Sequence, residues 1–244
     1  MREFVKNFSR RKIAVVAFFV VLTFILIALI GPFLCRYDPN AQELTLKYQM
    51  PTLAHPLGTD NLGRDIATRM VYGARVSLLI SFFGVLLGEL AGVILGVCAG
   101  YFGGIVDNII TAIIDILLAF PGLLLAIVII SILGNGTTNT MLTITLYSIP
   151  KCARLVRGSV MSVKQLEYVQ ACHTMGASNL SIILRHIIPN VVSVIIVDFT
   201  LALGYAILTA SALSFLGIGV QPPNPEWGAM LNYAQQYFRT APYM

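Results

Sequence analysis

Charge is what this sequence lacks. Of its 244 residues only 11% are Asp, Glu, Lys or Arg, against about 25% in an ordinary soluble domain. That is too little to cover a water-facing surface, which excludes a soluble enzyme, a disordered tail and a nucleic-acid binder. The four cysteines, Cys35, Cys98, Cys152 and Cys172, are scattered and form no C-x-x-C pair. They are expected to be small apolar residues in or near a membrane, with neither disulfide nor metal chemistry. No G-x-x-x-x-G-K-[ST], H-E-x-x-H or G-x-S-x-G occurs, so the chain has no Walker A site of its own and no protease or hydrolase signature.

Hydrophobic residues are abundant, at 57%, with a mean hydropathy of +0.82. They come in long runs rather than alternating pairs, which points to membrane-spanning helices and away from a β-barrel. A span needs about 20 residues, so five or six spans with loops would use the whole chain. The fold class expected is all-α, a polytopic helical membrane protein with five spans visible.

A basic tail, Met1–Lys12, precedes an apolar run from Ile13 to Leu34. The run is too long for a signal-peptide core and ends in bulky Leu34, so it reads as an uncleaved first span with the tail in the cytoplasm. Residues 35–75 form a loop rich in Pro and Gly, with one short helix expected over Arg64–Gly73. Further spans are expected at Val76–Tyr101, at Ile109–Leu133 with a kink at Phe120-Pro121-Gly122, at Thr140–Ile149 and at Val191–Leu216. The block Lys151–His186 carries Lys151, Arg154, Arg157, Lys164 and Arg185 against Glu167 alone. Four spans separate it from the N-terminal tail, so parity places both in the cytoplasm. The organisation expected is 1–34 for tail and first span, 35–75 for an extracytoplasmic loop and 76–244 for the core, including a cytoplasmic loop at 151–189.

Within that loop, Ser162-Val163-Lys164-Gln165 has capping-box spacing, and Val163, Leu166, Val169 and Cys172 share one helical face. Gly176 supplies a stop, Ser178 caps a second helix, and Pro189 ends or kinks it. Spacing leaves two readings open: an amphipathic loop on the membrane surface, which is the commoner arrangement, or a rigid knob that passes force from a soluble partner to the spans. A metal on Cys172, His173 and His186 matches no standard spacing.

Gln170-Ala171-Cys172-x3-Gly176-x9-His186-x-Ile188-Pro189 resembles the "EAA" loop of ATP-binding-cassette importer permeases. His55-Pro56-Leu57-Gly58-Thr59-Asp60-Asn61-Leu62-Gly63-Arg64-Asp65, Ala119-Phe120-Pro121-Gly122-Leu123 and Ser214-Phe215-Leu216-Gly217 with Glu226-Trp227-Gly228 resemble, in order, motifs of the dipeptide/oligopeptide/nickel branch. Ser148-Ile149-Pro150 leans toward its peptide and glutathione members. The resemblance implies a type I importer in the bacterial inner membrane. Its parts would be a second homologous permease, two cytoplasmic ATPases that bind the ATP and Mg, and an extracytoplasmic substrate-binding protein, with no nucleic acid and no cofactor in this chain. It implies ATPase docking by Glu167, Gln170, Ala171, Cys172, Gly176 and Pro189. Gln170 and Cys172 depart from the motif's Glu and Ala; Glu167, one turn earlier, would supply the missing carboxylate. The family pattern also calls for a sixth span after the Pro-rich loop, so a chain ending at Met244 is expected to be truncated.

Three acids fall within apolar runs: Glu89, Asp115 and Asp198. Each costs roughly 2.5–3.5 kcal/mol to insert as a charge. They are expected to face other helices or the pore; as an ion relay they would define the alternative, an ion-coupled secondary transporter. Asp60, Arg64, Asp65 and Trp227 are candidates for extracytoplasmic contacts, Trp227 with an interfacial anchoring role. The structural alternative for the first three is a set of ion pairs that fix the connection between the first and second spans, each contributing under about 1 kcal/mol if exposed.

Overall fold

The computed structural model describes residue 8 and residues 10–244; Arg2, Glu3 and Lys6 of the basic tail lie outside them. The described residues contain helices and no strand, only an isolated bridge between Thr59 and Asp65. The chain forms two compact units, Met1–Leu78 with Pro222–Met244, and Leu79–Gln221.

The first unit holds α1 (Lys12–Leu34) and the start of α2 (Ile66–Phe102). The short helix expected at Arg64–Gly73 and the span expected at Val76–Tyr101 are one continuous helix. Gly73 does not break it, since one glycine costs a helix only about 1 kcal/mol; Trp227 lies close by, its Cδ1 3.2 Å from where a Cβ would be. A Cβ on Gly31 would sit 2.6 Å from Val71 Cγ1, so α1 and α2 meet at a bare backbone.

The second unit continues with α3 (Gly104–Leu118), α4 (Gly122–Leu133), α5 (Thr137–Lys164), α6 (Glu167–Thr174), a single helical turn α7 (Asn179–Ile182), a π-turn at Ile183–Ile187, and α8 (Ile188–Phe215). The short α9 (Trp227–Ala234) belongs to the first unit. The kink expected at Pro121 is a full break: α3 and α4 are bent by 97°. Pro121 has no N–H to donate and disfavours helical geometry at Phe120. By length and apolarity α1, α2 and the helix running from Asn179 to Phe215 can each cross a membrane, and the bent pair α3–α4 is a fourth if taken as one span. The expected fourth span, Thr140–Ile149, is part of the 28-residue α5, which is long enough but too polar for that test. Its hydroxyls are internally satisfied: Thr140, Thr143, Thr145 and Ser148 each donate to the carbonyl four residues back, the usual way a hydroxyl is accommodated away from water.

Pro189 sits in the first turn of α8, and the chain stays helical through it from Asn179 to Phe215. The π-turn just before it shifts the bonding, with Ile188 N–H reaching Ile183 O. Asn190 Nδ2 donates to His186 O at 2.6 Å.

One feature of α2 organises the second unit. Gly84, Gly88, Gly92, Gly96 and Gly100 recur every fourth residue and lie against α5. Added Cβ atoms would come within 2.9 Å of Ile144 Cβ, 2.7 Å of Thr145 O, 2.7 Å of Cys152 Cβ, 2.6 Å of Ala153 O and 2.8 Å of Arg157 O, respectively. Where lipid tails are as apolar as leucine, helices associate through such close backbone contact rather than through the hydrophobic effect.

Candidate functional site

The segment after α5 folds as a helical hairpin. The capping box expected at Ser162 is not formed: α5 runs on to Lys164, and Ser162 Oγ donates back to Gly158 O. The chain breaks at Gln165 and Leu166, and α6 begins at Glu167, where a carboxylate favours the helix N-terminus. Val169 is buried and Cys172 half-buried against Val160, Ile182 and Ile187. Leu166, expected on the same face, is exposed because it precedes the helix. Glu167, Gln170 and Ala171 are exposed on the opposite side. Gln170 Nε2 donates to Gln165 O at 3.1 Å.

The end of α6 is a Schellman turn. Gly176, at φ +82°, donates to His173 O, and Ala177 N–H donates to Cys172 O, both at 3.1 Å. A left-handed residue is required there, and glycine supplies it without steric cost. Ser178 then caps α7 by accepting from Ser181 N–H. Tyr101, at the end of α2, donates its hydroxyl to Asn179 Oδ1 at 3.0 Å, and Lys164 Nζ donates to Tyr101 O at 2.6 Å. The hairpin is therefore anchored to α2 and α5 while α6 keeps an exposed face. An open groove of about 610 Å³ runs beside α6, bordered by Tyr101, Asp107, Lys164, Gln170 and His173.

Two of the three intramembrane acids, Asp115 and Asp198, together with Asp107, have cationic neighbours on α5. Because α5 is continuous, Lys151, Arg154 and Arg157 belong to the same helix as the fourth span. Arg154 pairs with Asp115, and Arg157 grips Asp107 with two bonds at 2.5 and 2.7 Å. Lys151 Nζ lies 3.8 Å from Asp198 Oδ1. Asp115 is exposed, whereas Glu89 and Asp198 are buried.

In the first unit the expected ion pairs are buried. Asp60 Oδ2 accepts from Arg64 Nε at 2.7 Å, with Arg69 Nε 3.9 Å away, and Asp60 Oδ1 accepts the Leu62 and Arg64 N–H groups. Asp65 caps α2, accepting Thr68 N–H at 2.7 Å, and its other oxygen pairs with His55 Nδ1 at 3.0 Å. Asp60, Arg64 and Asp65 are each about 5–6% exposed, so their side chains organise the loop. Trp227 is half-buried; its indole N–H donates to Met70 O at 3.1 Å and its ring meets Phe24 edge-on. It is held by the protein itself, which its residue type does not disclose. Glu226, which the sequence marked only as part of a motif, is fully buried: Oε1 accepts from Ser77 Oγ and Oε2 from Ala229 N–H, capping α9. Asp60→Ala is expected to leave two buried guanidiniums without their carboxylate and to cost about 3–5 kcal/mol, read as a lower melting temperature in detergent; Asp60→Asn, which keeps the turn acceptor, should cost less.

Long apolar helices with exposed outer faces, a glycine seam and a helical hairpin define a polytopic α-helical membrane protein. Residues 92–243 match the family described as binding-protein-dependent transport system inner membrane component, and residues 1–51 match the N-terminal TM domain of oligopeptide transport permease C. The glutathione transport system permease protein GsiD of Pectobacterium atrosepticum is 46% identical over 244 residues, covering 100% of this chain and 81% of that protein. GsiD of Salmonella typhimurium is also 46% identical, with 100% and 80% covered. Inward-facing MetNI methionine ABC transporter structures share the fold, with a TM-score of 0.60 at 18% identity over 72% of this chain and 84% of that one. The chain belongs to the binding-protein-dependent transport system inner membrane component family. It is a multi-pass permease subunit of an ATP-binding-cassette importer in a bacterial inner membrane. The ion-coupled secondary transporter finds no support.

Proposed function

We propose that the chain forms half of the translocation path for glutathione or a short peptide, paired with a second homologous permease. The observation that carries the cargo class is full-length identity of 46% to glutathione permeases. Two cytoplasmic ATPases bind ATP and Mg and drive transport, since the chain has no Walker A sequence. Each ATPase receives one permease's hairpin, and a binding protein delivers cargo on the opposite side. The N-terminal tail and the hairpin share the cytoplasmic side. The rigid knob is favoured over a surface loop by the Tyr101–Asn179 bond, the packing of Val169 and Ile182 into the buried core and the Schellman turn. Glu167, Gln170 and Ala171 form the ATPase-facing surface, with Cys172 packed beneath it, and Gly176 and Pro189 shape its two ends.

The test is to co-purify the complex with its binding protein and identify the retained small molecule by mass spectrometry. Glutathione or a peptide supports the cargo assignment; a different solute overturns it. Uptake should stop when the ATPase's Walker lysine is replaced and survive collapse of the ion gradients. Glu167→Ala is expected to weaken ATPase association about tenfold, the scale of one charge-assisted hydrogen bond, as measured by ATPase retention on immobilised permease. Unchanged retention would remove Glu167 from the interface.

A further inference from the structure

The middle of the second unit brings together three side chains that the sequence scatters. Glu89 on α2, Cys152 on α5 and Asp198 on α8 each offer a ligand atom, and these atoms lie within 4.8 Å of one another. All three residues are buried, Glu89 and Asp198 to better than nine-tenths. One oxygen of each carboxylate, Glu89 Oε2 and Asp198 Oδ2, has no hydrogen-bond partner. Cys152 Sγ donates to the Glu89 main-chain carbonyl at 3.6 Å, and Gly92 lets α2 close directly over Cys152. The thiol is thus held in place by the glycine seam.

A buried unpaired carboxylate oxygen costs several kcal/mol, and two such groups on different helices need a positive centre between them. The nearest cation, Lys151, reaches only Asp198 Oδ1, at 3.8 Å, and its ammonium also lies over the Tyr205 ring. We propose that Glu89, Cys152 and Asp198 form a binding site for a borderline-soft divalent cation of the zinc class. Cation binding displaces the Cys152 thiol proton to solvent; the resulting thiolate and the two carboxylates carry three negative charges, of which Lys151 offsets one and the cation the other two. A thiolate beside oxygen ligands selects zinc-class ions over magnesium or calcium, and three protein ligands leave a fourth position open. The sequence alone indicated no metal, because ligands from three separate helices leave no spacing motif.

The experiment uses the full chain in detergent with Cys35, Cys98 and Cys172 replaced by serine, and Cd²⁺ as the probe. One Cd²⁺ per chain is expected, with the ultraviolet band of a cadmium–thiolate bond. Cys152→Ser should abolish the band. Glu89→Gln and Asp198→Asn should each weaken binding about 10–100-fold, while Lys151→Gln, which removes a competing charge, should tighten it about tenfold. Thermal unfolding confirms that each variant is folded; if Cys152→Ser is not, Glu89→Gln decides. The absence of saturable binding, or an unchanged affinity in Glu89→Gln, would overturn the proposal and leave a carboxylate pair bridged by a proton.

Discussion

Gly96→Leu is expected to prevent the permease from folding. The first added carbon alone would lie 2.6 Å from Ala153 O and 2.8 Å from Val156 Cβ. These are a backbone atom and the branch point of a fully buried side chain, so neither can swing aside. Overpacking of a tight interior costs about 1–3 kcal/mol where neighbours can move and more where they cannot. Here α2 would have to separate from α5 along the seam that runs from Gly84 to Gly100. The expected readout is loss of the monodisperse peak in detergent, or a melting temperature too low to measure. Gly158→Ala is the control. It lies on α5 with open space around it, so it should gain the roughly 0.8–1 kcal/mol by which alanine exceeds glycine in a helix. If both variants behave alike, the seam does not hold the helices together.

Gly176→Pro should leave the chain in the membrane and silence transport. Proline is confined near φ −65°, whereas Gly176 sits at +82°. The substitution also removes the N–H that donates to His173 O, and the reversal that brings Ala177 N–H to Cys172 O goes with it. The helix α6 would fray at its C-terminal end and its exposed face would no longer hold a fixed direction. Uptake is expected to fall at least tenfold, and the ATPase activity of the assembled complex to become insensitive to loaded binding protein. Gly176→Ala keeps the N–H and costs only about 1–2 kcal/mol for a left-handed alanine, so it should transport nearly normally. Loss of transport in the alanine variant as well would mean that bare backbone, not turn geometry, is what the position requires.

The two variants probe features of different legibility. Gly176 stood out from sequence, since a glycine after a helical stretch and before a capping serine has a local meaning. The Gly84–Gly100 repeat was equally visible as letters, yet a small-residue stripe says nothing of which helix it meets. Pro121 announced a kink, but the 97° break depends on how α3 and α4 pack afterwards. Pro189 announced an interruption, and it takes the form of a π-turn just upstream, with Pro189 in the first turn of the helix that follows, rather than a break in the span. The capping box at Ser162 failed for a related reason. Local hydrogen-bond patterns compete with continued helix, and α5, packed against α2 through Val156 and Val160, extended past it.

Charge followed the same division. Composition placed the chain in a membrane, because a chain with 11% charged residues cannot coat a soluble surface. The order of motifs marked it as an importer permease. The first conclusion needs no coordinates because solvation is a property of residue type; the second rests on the resemblance of those motifs to a known family, which spacing alone did not supply. Sequence could not say that Arg154 meets Asp115, that Asp60 lies buried between two arginines, or that Glu89, Cys152 and Asp198 converge. Those partners come from separate helices or from a folded loop. Their meeting depends on the rotation and depth of each helix, which the glycine seam and the proline breaks set only when the chain is packed.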